Sequence, residues 1–178
     1  MKKYGVIILV MLSLLLTACV PRNCIEEGTA LLAEKRYESA IAVFEESIEK
    51  GLEIEAAYKG IGIARYEMEQ YDMALASFEQ AFQNGAEKTP MILNLVGICN
   101  MKLQQYQDAL DSFGQALLLS EMNAEDHGEL IRELRFNEIV CYEKLSDWRT
   151  AKIKVDEYLT LYPDDEVMQK ESLFLKTR

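Results

Sequence analysis

Residues able to do chemistry are few along this 178-residue chain, and their spacing does not suit catalysis. There is one histidine, His127, and four cysteines, Cys19, Cys24, Cys99 and Cys141. No two cysteines stand in C-x-x-C spacing and no second histidine completes a ligand set, so no metal or cofactor is expected. No nucleophile motif is present, nor a glycine-rich phosphate loop joining a strand to a helix. The acidic pairs Glu45-Glu46 and Asp164-Asp165 read as solvated helix faces or caps. The chain is therefore expected to bind rather than to catalyse.

Cys19 alone has a context that implies a reaction at its sulfur. Lys2 and Lys3 precede an apolar run from Val6 to Leu16 that only Ser13 interrupts, and Leu16-Thr17-Ala18-Cys19 follows. The run is shorter than the ~20 apolar residues that span a bilayer, so it reads as a cleavable signal and not as a permanent membrane helix. Leu16 to Cys19 resemble the lipobox of bacterial lipoproteins. That resemblance implies a diacylglyceryl group on the Cys19 sulfur and cleavage that leaves Cys19 as the first residue. Each buried CH₂ contributes about 0.8 kcal/mol, so two or three acyl chains anchor a protein stably. The mature protein is then expected to be tethered on the extracytoplasmic side of a cell membrane or outer membrane without spanning it.

Cleavage after residue 18 removes two lysines and no acid, and takes the net charge from −11 to −13. Such an acidic surface excludes nucleic acid as a partner and disfavours lying flat on anionic lipid. The expected partners are proteins or peptides, with the membrane reached through the lipid anchor.

The elements that carry the remaining residues follow from a repeat. Tyr37-x-x-Ala40-x-x-x-Phe44 recurs as Tyr71, Ala74 and Phe78, then as Tyr106, Ala109 and Phe113, and in degenerate form as Trp148, Ala151 and Val155. A period near 34 residues marks a solenoid of units each too small to bury its own apolar face. Apolar residues three and four apart predict helices over 24–34 and 37–49, 55–68 and 71–83, 90–103 and 106–119, about 124–144 and 147–161, and a last helix near 165–176. Gly51, Asn84-Gly85, Thr89-Pro90 and Pro163 punctuate them. Cys99 and Cys141 occupy equivalent places in neighbouring units. Stacked helices lie about 8–10 Å apart, beyond the ~7 Å Cα limit for a disulfide, so both read as small buried hydrophobes.

These repeats resemble the tetratricopeptide family. In the second unit Tyr58, Gly62, Tyr71, Ala74, Phe78 and Ala81 match its pattern; in the third, Leu93, Gly97, Tyr106, Ala109, Phe113 and Ala116 do so. The first keeps Gly28, Tyr37, Ala40, Phe44 and Ser47. The fourth departs, with Ile139, Val155 and Tyr158 at three pattern positions, though Pro163 is in place. The resemblance implies an all-α, right-handed superhelical α-solenoid of about four helix pairs with a C-terminal capping helix. Its divisions are a signal peptide (1–18), a lipidated tether (19–23), four repeats (24–54, 55–89, 90–123 and 124–165) and the cap (166–178). About eight extra residues in Ser120–Ile131 precede the fourth unit. Asn123-Ala124-Glu125-Asp126 reads as a helix N-terminus, which predicts an elongated first helix there. The segment reads as a tolerated insertion or as an acidic rim contact. The last helix, with Met168, Leu173, Phe174 and Leu175 apolar and Lys170, Glu171 and Lys176 outward, reads as a cap on the array or as an occupant of its groove.

The family's concave face places the candidate binding residues at Lys59, Ile63 and Tyr66, at Met91, Asn94, Ile98 and Met101, and at Phe136 and Val140, with Glu133 and Glu143 beside the last two. Ile63, Ile98 and Val140 read equally as groove lining or as packing between helices. Positions where some family members clamp a carboxylate hold Ile25, Thr29, Gly60, Met91 and Leu95, which disfavours that mode. The apolar stripe suits an amphipathic helix or an extended hydrophobic peptide. The expected function is a membrane-anchored interaction scaffold at the bacterial cell envelope. The alternatives are an accessory subunit or regulator of a cell-wall hydrolase or synthase, or a peptide-capturing surface lipoprotein.

Overall fold

The computed structural model describes residues 23–122 and 128–178. The signal segment, Cys19 and the helix start expected at Asn123 lie outside the described residues. Within them the chain is helical throughout: α1 (Cys24–Ala33), α2 (Tyr37–Glu49), α3 (Ile54–Glu67), α4 (Tyr71–Gln83), α5 (Pro90–Lys102), α6 (Tyr106–Met122), α7 (Gly128–Lys144), α8 (Trp148–Leu161) and α9 (Glu166–Leu175).

Short polar side chains start several of these helices by accepting otherwise orphaned N–H groups. Asn23 Oδ1 accepts from the Glu26 N–H at 3.1 Å. Thr89 Oγ1 accepts from Ile92 at 3.4 Å, with Pro90 pre-set as the first helical residue. Asp147 and Asp165 begin α8 and α9 in the same way.

The turn inside each pair repeats with the sequence period. The N–H groups of Arg36, Gln70, Gln105 and Asp147 donate back to the carbonyls of Leu31, Arg65, Asn100 and Tyr142 at 2.8–2.9 Å. This closure needs a left-handed residue just past the helix. Here it is Lys35, Glu69, Gln104 and Ser146, with φ between 59° and 63°, and not a glycine in any of the four. Turns this short make the two helices of a pair antiparallel neighbours.

Each helix packs on the next, and α1 also touches α3, α3 touches α5 and α5 touches α7. The even-numbered helices make no such contacts with one another among the described residues. Helices α1, α3, α5 and α7 therefore form the inner layer of the solenoid, and their free faces line its concave side.

Its core is a row of wedges. Phe44, Phe78 and Phe113 are at most 1% exposed, and Ala40, Ala74, Ala109 and Ala151 are 0% exposed. The glycines across from the rings are there for space. A Cβ on Gly62 would come within 2.6 Å of the Phe78 ring, and Gly28 and Gly97 stand equally close to Phe44 and Phe113. In the fourth unit the large and small partners change places. Ile139 takes the glycine position, Val155 takes that of the phenylalanine, and both are buried with Tyr158, Met168 and Leu175. Exchanging volume between facing positions keeps the wedge filled.

Two expectations change. The extra residues before the fourth unit lengthen both helices that flank them: α6 runs on to Met122, and α6 and α7 have 17 residues each against 10 to 14 in α1–α5. Arg135 on α7 reaches Glu121 on α6 at 3.0 Å across this extension. In α9 only Met168 and Leu175 face the core, while Leu173 and Phe174 are 63% and 43% exposed. Glu171, expected to point outward, is half-buried and faces Glu143 of α7. This helix lies on α8 at the end of the array and not in the groove.

Candidate binding groove

The inner layer leaves a cleft of about 440 Å³ between α3, α5 and α7. Helical spacing builds it. Ile98, Met101 and Lys102 occupy one face of α5, and Glu133, Asn137, Val140 and Lys144 occupy the facing stripe of α7, each about one turn from the next. Tyr66 closes it from α3, and its ring meets Tyr71 edge-on at 6.2 Å. Burial is the main reason that the Tyr66 hydroxyl is raised above the ordinary tyrosine range, so it enters the cleft as a neutral hydrogen-bonding group.

Of the candidate residues, Tyr66, Ile98, Met101 and Val140 meet in this cleft. Ile63 instead packs against the Ala74, Phe78, Ile92 and Cys99 cluster. Lys59 is exposed on α3 and Met91 is 67% exposed on α5, both away from the cleft. Asn94 does not offer its amide to a ligand. It is 6% exposed and donates from Nδ2 to Glu133 Oε1 at 3.0 Å, leaving its own Oδ1 buried without a partner. Lys102, Tyr106, Asn137 and Lys144 are further lining residues. The signal for the two lysines was available, since each sits four residues past the groove residue of its helix, Ile98 or Val140.

Phe136 belongs to an adjoining cleft of about 390 Å³ that shares Glu133 with the first. Here Arg132 Nη2 donates to Asp165 Oδ2 at 2.9 Å and Arg132 Nε donates to the Tyr158 hydroxyl at 3.1 Å. The Tyr158 hydroxyl in turn donates to Asp165 at 2.8 Å, and the guanidinium lies 5.5 Å from the Tyr162 ring. Donation from Arg132 and then from Tyr158 lowers the Asp165 carboxyl to about 2. This cluster fastens α9 to α7 and α8, and its charges satisfy one another.

Among the described residues no nucleophile emerges. Cys24, Cys99 and Cys141 are buried, and burial pushes the thiols of Cys99 and Cys141 up to about 12. Among the described residues no group of three His, Cys, Asp or Glu side chains could hold a metal ion, and no helix is long and apolar enough to cross a membrane.

Short antiparallel pairs stacked with their first helices inward define an all-α helical-repeat solenoid. Neither a protein-family model nor a curated protein matches the sequence. Solved structures do match the fold. YrrB, described as a TPR protein with an unusual peptide-binding site, superposes with a TM-score of 0.72 at 22% identity over 90% of this chain and 77% of that one. MamA of AMB-1 gives 0.66 at 16% identity over 85% and 84%. A tetratricopeptide repeat protein from Parabacteroides merdae gives 0.65 at 14% identity over 88% and 59%. The chain has the tetratricopeptide-repeat fold.

Proposed function

We propose that this chain is a protein-interaction scaffold that takes a partner segment into the cleft between α3, α5 and α7. A lipid on Cys19 would hold it at the extracytoplasmic face of the bacterial cell envelope. The observation that carries the binding role is the convergence of Tyr66, Ile98, Met101 and Val140 in one open cleft of about 440 Å³. Sites that accept a few side chains have volumes of this order, with an apolar lining and few polar groups. Met101 adds an adaptable surface and Tyr66 a rigid one. YrrB, whose fold is similar, is described as having an unusual peptide-binding site. The lipid would raise the local concentration of membrane-bound partners at the groove.

Site-specific photocrosslinking in cells tests the binding role. A benzophenone amino acid at Met101 is expected to trap a discrete partner, and Tyr66→Ala with Val140→Ala is expected to abolish the adduct while helical circular dichroism is unchanged. An adduct that survives the double substitution excludes the groove. Fractionation tests the anchor: Cys19→Ser should move the protein out of the membrane fraction, and persistence there excludes lipidation as the tether.

A further inference from the structure

The inner face of α7 is polarised, and the polarity selects a kind of occupant. Glu129 and Glu133 stand near its N-terminal end, Phe136 and Val140 in the middle, and Lys144 at its last residue. Lys102 ends α5 and lines the same cleft as Lys144, 42 residues before it, so the two repeats bring equivalent lysines to one end of the groove. The equivalent place on α3 holds Glu67, which is engaged by the Tyr37 hydroxyl at 3.2 Å.

Among the described residues these four groove charges form no ion pair, and Lys144 acts only at longer range on its neighbour Glu143. Neither lysine makes an ion pair among the described residues, and neither Glu129 nor Glu133 meets a cation there. The other charged groups nearby are committed elsewhere. Arg132 is taken up by Asp165, and Glu143 turns toward Glu171 on α9. In a chain of net charge −11, two lysines that make no ion pair among the described residues, at one end of an apolar cleft, stand out as a site for a carboxylate.

Resting on the reading of the groove as a peptide site, we infer that its occupant is a short extended segment of mixed charge. A carboxylate at one end lies against Lys102 and Lys144, one or two apolar side chains fill the floor of Tyr66, Ile98, Met101 and Val140, and a basic residue at the other end meets Glu129 and Glu133. From Glu129 to Lys144 the helix rises roughly 22 Å at about 1.5 Å per residue, which an extended strand of about seven residues spans. The clefts share Glu133, so one segment passes through both.

A displayed random heptapeptide library, panned against the full chain, tests the inference. Enriched sequences are expected to have an acidic residue at one end, an apolar centre and a basic residue at the other. On the Lys102→Glu/Lys144→Glu variant the acidic end should give way to a basic one, and peptides selected on the natural chain should bind this variant at least about tenfold more weakly. Both lysines are exposed and outside the core clusters, so the variant's circular dichroism should match the natural chain's. An apolar centre without charge order, or unchanged selection on the variant, overturns the polarity and leaves the groove standing. Enrichment that survives Tyr66→Ala, or no enrichment at all, overturns both.

Discussion

The Phe44 ring lies between two glycines, Gly28 of its own pair and Gly60 of the next, and a Cβ on either would enter the ring's van der Waals envelope. A ring clamped from both sides cannot move aside. Gly60→Ala should therefore destabilise by about 1–3 kcal/mol in urea unfolding despite alanine's better helix propensity. Gly114, on the exposed side of α6, has nothing within 4 Å of an added Cβ. There Gly→Ala should stabilise, by up to about 1 kcal/mol, and the opposite signs separate sterics from propensity. The left-handed residues of the turns give a further case. Gln104, at φ 63°, bears strain of about 1 kcal/mol that glycine would relieve, so Gln104→Gly should raise the urea midpoint. The repeat period shows Gly28, Gly62 and Gly97 as spacers, because each meets a phenylalanine of its own repeat. It does not show Gly60, which meets a ring from the preceding unit and in the sequence marks only a vacant clamp position. The turns were hidden for another reason: backbone hydrogen bonds impose their left-handed residue, so no glycine marks it.

Among the elements, α9 is attached through a network of charged groups. Asp165 accepts from the Val167 and Met168 N–H groups at the start of α9 while holding Arg132 of α7. Its lowered folded-state pKa contributes stability that is present above the ordinary carboxylate range and lost as pH falls toward about 2. Asp165→Ala should cost about 1 kcal/mol for the cap alone and raise amide exchange selectively in α9. Glu143 acts in the opposite sense. Burial first, and then the like charge of Glu171, raise it to about 7. A raised folded-state pKa makes the native state bind more protons than the unfolded chain, so this pair favours folding at low pH and loses that contribution as pH rises from about 4.5 to about 7. Glu143→Gln should flatten that part of the melting-temperature profile and raise the melting temperature at pH 8. The existence of α9 and its buried Met168 were legible from apolar spacing. Its exposed Leu173 and Phe174 were not, since which half of a short apolar helix is covered depends on how it crosses α8. The same limit applies to the groove. The stripe on α5 and α7 was legible from repeat positions, whereas the inward turn of Asn94 depends on Glu133, 39 residues away.

At the scale of the whole molecule the core of the described residues is a chain of four clusters, each bridging neighbouring helix pairs and none reaching across the array. Phe44 joins the first pair to α3, Phe78 sits with Ile92 and Cys99 of α5, Phe113 with Leu134 and Cys141 of α7, and Val155 with Met168 and Leu175 of α9. Stability in such an array is a sum of unit and nearest-neighbour terms, so weakening one junction uncouples its two sides. Phe78 lies at a central junction. Phe78→Ala should remove about 3–5 kcal/mol, and the loss should not be shared evenly. Native-state hydrogen exchange should show α1–α4 and α5–α9 opening as separate units, where the natural chain opens more cooperatively. Val155→Ala, at the last junction, should leave protection of α1–α4 nearly unchanged and expose α9 alone. The groove between α3, α5 and α7 spans the Phe78 junction, so Phe78→Ala should also weaken peptide binding without touching a lining residue. Uniform loss of protection in all the described helices would show instead that the array folds as one cooperative body, with binding and stability set by the whole row of wedges.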